Sequence, residues 1–324
     1  MPNVETASAD AASPGVGPHL HEFAVDTLYG RISGLRGGRG ERVLALHGWL
    51  DNAASFVPLQ RHLSGLDLAA IDLPGHGASV HLPPVADYTM VAFARAGFAV
   101  ADALGWDRFS LLAHSLGGAV ASVMAAACPQ RIERVLLIES LGALAETEHN
   151  TALRLREAFA ARAAPARPLR VFSDIATAVR VRMQVNGLSE PVARLLVERG
   201  IAPVPAFDRA AGARASDDAA GGFVWRSDPR LTQPTAVRLS EAQVRDLVGH
   251  IECPARVIYA EPAQVYFPEA LRQERFACLR DGELVVLPGS HHLHMEEPAK
   301  VAAAIGDFFL RPVVGIGVDR DALA

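Results

Sequence analysis

Ser115 lies in Ala113-His114-Ser115-Leu116-Gly117-Gly118, between an apolar run ending at Ala113 and a small-residue stretch from Ala119 to Ala127. A serine hydroxyl is a weak nucleophile until a nearby base takes its proton. The pattern is that of a nucleophile elbow, in which a strand turns sharply into a helix. Residues two before and two after the serine must then be small, and the serine stands exposed at the C-terminal edge of the sheet. The helix N-terminus behind it favours a developing oxyanion. His114 cannot bend round to its own neighbour, so it is assigned to the wall of the elbow and of the substrate pocket.

Other short segments carry a resemblance. His47-Gly48-Trp49 follows an apolar strand, Asp72-Leu73-Pro74-Gly75-His76-Gly77 follows the next, and Gly289-Ser290-His291 precedes Glu296 and Pro298. Together with the elbow they make the chain resemble the α/β-hydrolase fold family from about residue 21 to 311. Trp225 to Arg230 and Arg238 to Val244 resemble its serine hydrolase-like (Kraken-type) branch more specifically.

The resemblance implies a nucleophile, acid and histidine in that chain order, with the histidine after the last strand. His291 takes that place, His292 is the runner-up, and His294 reads as a structural residue opening the following helix. The backbone N–H groups of Leu116 and Trp49 are the implied oxyanion hole. The Trp49 side chain either lines the acyl pocket or packs the loop. Asp51 and Asn52 read as turn formers, and Asp72 to Gly77 as a structural turn in which Gly75 and Gly77 permit positive φ. His76 reads as a hydrogen-bonding core histidine, and His21, His62 and His81 as surface residues.

The acid departs from the family pattern. An Asp is usual three residues beyond the Gly that ends the seventh strand, and here Ala263 stands there, in Tyr259-Ala260-Glu261-Pro262-Ala263. Glu139, just past the apolar run Val135 to Ile138, resembles the alternative site used by haloalkane dehalogenases and by serine hydrolases with their layout. Glu139 is the preferred acid and Glu261 the alternative.

The elements that must position these residues follow one rhythm. Val43–Leu46, Leu68–Ile71, Phe109–Ala113, Val135–Ile138, Arg256–Tyr259 and Leu284–Leu287 are continuous apolar runs separated by helical stretches. That pattern predicts an α/β fold with a mostly parallel sheet covered on both faces. Phe23–Val25 and Leu28–Ile32 alternate better and predict an antiparallel edge hairpin. Residues 21–142 and 235–311 form the expected hydrolase core, and residues 143–234 an inserted helical lid. Within the lid Ser173-Asp174 and Ser189-Glu190-Pro191 predict helix starts, Gly200 a stop, and residues 201–230 a loop. Arg154, Arg156, Arg162, Arg167 and Arg170 read as a solvated face, or as a dock for an anionic acyl substrate. Residues 1–20 are expected to be a flexible segment and 312–324 a tail.

Composition narrows the class. The 324 residues are 50% hydrophobic and 21% charged, which fits a globular domain. A net charge of −5 argues against nucleic acid. Cys128, Cys253 and Cys278 are scattered and read as buried small residues of a reducing compartment. The absence of a signal-like start or a long apolar run predicts a cytoplasmic protein without a membrane span. No metal and no cofactor are expected, and the oligomeric state is left open. The expected activity is hydrolysis of a small-molecule carboxylic ester or related acyl bond by a Ser-His-acid triad. Thioester, lactone, C–C or perhydrolytic chemistry on the same triad remains open, as does a non-catalytic small-molecule binder. Dehalogenase and epoxide hydrolase chemistry is disfavoured because those relatives attack with Asp.

Overall fold

Every expected apolar run becomes a strand of one eight-stranded sheet. A computed structural model describes residues 19–163, 170–204 and 222–312. The expectations for residues 1–18, Arg167, 205–221 and 313–324 lie outside the described residues. In chain order the core elements are β1 (His21–Thr27), β2 (Gly30–Gly38), β3 (Glu41–Leu46), α1 (Val57–Gln60), β4 (Leu66–Ile71), α2 (Met90–Ala103), β5 (Phe109–His114), α3 (Leu116–Ala127) and β6 (Ile132–Ile138). The insertion carries α4 (Thr151–Ala163), α5 (Ile175–Asn186), α6 (Glu190–Gly200), β7 (Ile201–Val204) and β8 (Gly222–Trp225). The core resumes with α7 (Glu241–Gly249), β9 (Ala255–Glu261), α8 (Glu269–Phe276), β10 (Gly282–Pro288), α9 (Leu293–Glu296) and α10 (Pro298–Ile305).

The strand order is β1-β2-β4-β3-β5-β6-β9-β10. From β4 to β10 neighbours run parallel, while β2 is antiparallel to β4 and β1 to β2. Alternate residues of one strand enter different cores, which is why the runs are apolar without interruption. Val43 and Ala45 pack with Phe56, Leu59, Val301 and Ile305 on one face. Leu44 and Leu46 pack with Val100, Val120 and Met124 on the other.

The insertion between β6 and β9 has a small core of its own, built from Phe172, Val179, Val192, Leu196 and Val197 and joined by Met295 of α9. Asp174 caps α5 by accepting the Thr177 N–H, and Gly187 ends the helix with φ +65°. Residues 201–230, expected as a loop, contain a correction. β7 and β8 pair antiparallel, and Phe172 bonds Phe223 through both backbone groups. Strands of four residues, one holding Pro203, are too short to show a period in sequence. The single helix expected to open at His294 is also two, because Pro298 starts α10 after a break at Glu297.

Candidate active site

β5 and α3 meet at Ser115, which is left alone at the turn with φ +52°. Its N–H donates to the Ile138 carbonyl at 3.0 Å. A Cβ on Gly117 would stand 2.0 Å from the Leu46 carbonyl oxygen, and one on Gly118 2.7 Å from the Ser140 Cβ. The first turn of α3 therefore passes between β3 and β6 only without side chains. Among the described residues the non-glycines with positive φ are Leu50, Ser115 and Glu139. All three follow strands at the same sheet edge. A non-glycine held there costs on the order of 1–3 kcal/mol, and such strain gathers where geometry serves function.

The serine hydroxyl lies 2.9 Å from Nε2 of His291, and the other ring nitrogen, Nδ1, lies 3.2 Å from Oε2 of Glu139. Glu139 is held from behind. Its Oε1 accepts the Ala260 N–H at 2.6 Å and Nη2 of Arg272 at 3.1 Å. Arg272 also donates to the carbonyls of Ala260 and Phe267, and its guanidinium lies 4.4 Å from the centre of the Tyr259 ring. Both members of this ion pair are buried. A Tyr266 hydroxyl stands 3.4 Å from Nδ1 of His291, beside the carboxylate.

The loop after β3 is set by His47, whose Nδ1–H donates to the Gly48 carbonyl at 2.7 Å while Nε2 accepts the Leu73 N–H at 3.0 Å. Burial pushes the His47 pKa down and outweighs the nearby Asp72 charge, so the ring is neutral as this pattern requires. Asp72 accepts the N–H groups of Ala53 and Ala78 and pairs with Arg199 of α6. The Trp49 and Leu116 amides make no backbone hydrogen bond among the described residues. The half-exposed Trp49 indole donates to the Leu231 carbonyl at 3.0 Å. It ties the loop to the exit of the insertion.

Three expectations are corrected by burial. His114 cannot line a substrate pocket, because it is fully buried and its Nε2–H donates to the His291 carbonyl at 2.8 Å. Asp51 is no simple turn former: it is buried and paired with Arg182 of α5 and with His292. His292 accordingly faces Asp51 and makes no bond to Ser115. His294 is buried against Ser55, and Glu261 is exposed with no bond to His291. Of the cysteines Cys253 alone is buried; Cys128 and Cys278 are half-buried.

A family model described as alpha/beta hydrolase fold matches residues 41–298. The chain belongs to the α/β-hydrolase fold family. It is 28% identical over 277 residues to a serine hydrolase-like protein of Dictyostelium discoideum, covering 83% of this chain and 74% of that protein. It is 29% identical to serine hydrolase-like protein 2 of Homo sapiens over 93% of this chain and 96% of that one. A solved structure of a hypothetical protein from Pseudomonas aeruginosa PAO1 superposes with a TM-score of 0.80 at 36% identity, covering 90% and 99% of the two chains. These relatives place the chain in the serine hydrolase-like branch, and it is a hydrolase. Among the described residues no helix is long and apolar enough to cross a membrane.

Arg272, Tyr266 and Arg182 adjoin the candidate site and were missed in the sequence. Arg272 lies in Glu-Ala-Leu-Arg-Gln-Glu-Arg-Phe of α8, which reads as a solvent-facing helix. A buried arginine has no sequence signature apart from the carboxylate it meets, and Glu139 is 133 residues away. For Tyr266 and Arg182 the sequence carried no signal at all.

Proposed function

We propose that this hydrolase cleaves a carboxylic ester or related acyl bond by covalent catalysis at Ser115. The hydrogen-bonded line from Ser115 through His291 to Glu139 is the observation that carries this reading. His291 takes the serine proton as Oγ attacks the carbonyl, and the Glu139 carboxylate stabilises the imidazolium that forms. The negative charge of the tetrahedral intermediate falls to the amides of Leu116 and Trp49. Collapse returns the proton from His291 to the departing alcohol, and water repeats the sequence to free the acid. Arg272 and the Ala260 N–H hold Glu139 while its other oxygen serves the ring.

The insertion, residues 143–234, is assigned the role of a lid that limits acyl size. The binder alternative rested on the missing Asp at position 263, and that support weakens with Glu139 beneath His291. A fluorophosphonate probe tests the proposal: it should label the wild type at Ser115 and leave the Ser115→Ala variant unlabelled. The same variant should lose ester turnover by more than about a hundredfold while staying folded. Folded wild type that neither labels nor turns over a graded series of esters would favour a binder.

A further inference from the structure

Behind the Ser115–His291–Glu139 line lies a second carboxylate to which the mechanism gives no part. Asp51 is 2% exposed, and its N–H donates to the Gly48 carbonyl at 3.1 Å. That bond closes the turn containing Trp49, whose amide is one of the two proposed oxyanion donors. The Asp51 carboxylate looks the other way. Its Oδ2 lies 3.3 Å from Nε2 of His292, the residue after His291, and 3.8 Å from Nδ1 of His114. Its Oδ1 accepts from Arg182 of α5, in the insertion. A Cβ on Gly48 would stand 3.0 Å from Asp51 Oδ2 and 2.9 Å from His114 Nδ1. The oxyanion loop, the histidine loop and the insertion therefore converge on one side chain.

Resting on the serine hydrolase reading, we propose that Asp51 is a positioning residue that locks the oxyanion loop to the histidine loop, with Arg182 as its clamp. Charge and burial support this. Burial alone would raise the Asp51 carboxyl, yet His292, 3.3 Å away, and the charge of Arg182 hold it well below the carboxylate range. His114, next to it, is kept neutral by burial and by the three histidines around it. With Nε2–H spent on the His291 carbonyl, its Nδ1 carries a lone pair and donates nothing to Asp51, so the partners of the carboxylate are His292 and Arg182. The donor atoms of Asp51, His114 and His292 lie within 4.8 Å of one another, a spacing that a metal ion could also use. Arg182 already neutralises Asp51, which favours an internal ion pair over a cation site.

A displacement of about 1 Å in a catalytic group costs on the order of a hundredfold in rate. Asp51→Asn, which keeps the shape and removes the charge, should lower kcat about 10–100-fold per fluorophosphonate-titrated site, with KM of a short ester within about twofold. Arg182→Gln should lower kcat in the same sense without touching either loop, and Arg182→Lys should restore it to within about threefold of wild type. Unchanged kcat per titrated site in Asp51→Asn, with only a lower Tm, would make Asp51 merely structural and overturn the proposal. Zinc that inhibits the wild type but not Asp51→Asn would overturn it in favour of a metal site. Should the wild type show no labelling and no turnover, the serine hydrolase reading itself fails. Crystal structures of the wild type and Arg182→Gln then decide the positioning claim: loops 48–51 and 290–292 unmoved in the variant would overturn it.

Discussion

Replacing Glu139 by Gln changes few atoms and tests the acid directly. The Gln carbonyl can keep the Ala260 N–H and the shorter of the two Arg272 contacts, both to Oε1, and loses only the 3.4 Å contact from Arg272 to Oε2. The amide NH2 is then left facing Nδ1 of His291, where a carboxylate oxygen stood at 3.2 Å. Two donors meet, and the ring relieves the clash by carrying its proton on Nε2. Nε2 then points a hydrogen at Ser115 instead of a lone pair. The equivalent change in a well-studied serine protease lowers kcat by about 10⁴. Here the Tyr266 hydroxyl, 3.4 Å from Nδ1, offers a second acceptor that retains part of the productive tautomer. Glu139→Gln should therefore cost about 10²–10⁴ in kcat/KM, or about 2.7–5.4 kcal/mol of transition-state stabilisation. Glu261→Gln, at an exposed residue without a bond to the ring, should cost less than about tenfold. Initial rates on one p-nitrophenyl ester, with circular dichroism to show folding, measure both. A Glu139→Gln variant within tenfold of wild type, or the reverse ranking, would refute the assignment.

Arg272→Met should leave the buried Glu139 short of a partner and cost about 3–5 kcal/mol in urea unfolding, with kcat at least tenfold lower; an unchanged urea midpoint would contradict this. Acid should destabilise the fold well above carboxylate titration. Burial depresses His76 and His294 to about 3, and also lowers His47 and His114, so below pH 6.5 the unfolded chain takes up protons that the folded chain refuses. The stability these groups supply is full above pH 6.5 and is lost as pH falls toward 3, at up to about 1.4 kcal/mol per unit per group. Urea unfolding at pH 5.5 should show at least about 2 kcal/mol less stability than at pH 7, and equal values would disprove the linkage. Shortening the 143–234 insertion should raise the relative rate on long-chain esters; an unchanged chain-length profile in a folded variant would deny it the role of a lid.

Local features told most of the fold. Continuous apolar runs, the small residues around Ser115 and the helix-boundary residues Asp174, Ser189 and Gly200 act within a few residues of where they are read. β7 and β8 escaped because four-residue strands carry no period, and the break before α10 because an apolar face runs on past Pro298. At the site, Ser115, His291 and Glu139 were legible as candidates because each follows a strand at the sheet's C-terminal edge. Asp51 was misread as a turn former because its backbone does form a turn, while its side chain answers to Arg182, which is 131 residues away. His114 was misplaced for the same reason. Only the packing of α9 and its loop decides whether a residue beside the nucleophile faces substrate or core.

The proposed shift of the acid from the β9 loop to the end of β6 follows from the sheet itself. β5, β6, β9 and β10 are consecutive neighbours, so Ser115, Glu139 and His291 follow β5, β6 and β10, and Glu261 ends β9 between them. The histidine loop reaches back from β10 toward β5, and its ring must cross over the ends of β9 and β6. A carboxylate can meet that ring from either strand. From β9, an Asp needs a loop that swings back under the ring. From β6, the approach is direct, and the longer Glu side chain spans the gap while φ of +57° turns it toward β9, where the Ala260 N–H receives it. With a carboxylate already brought to His291 from the end of β6, the β9 loop is free for other work. It carries Tyr266 to the ring edge and leads into α8, whose Arg272 grips Glu139 from below. Ala263, which reads in sequence as a missing acid, thus lies in a loop that supports a carboxylate supplied by its neighbour.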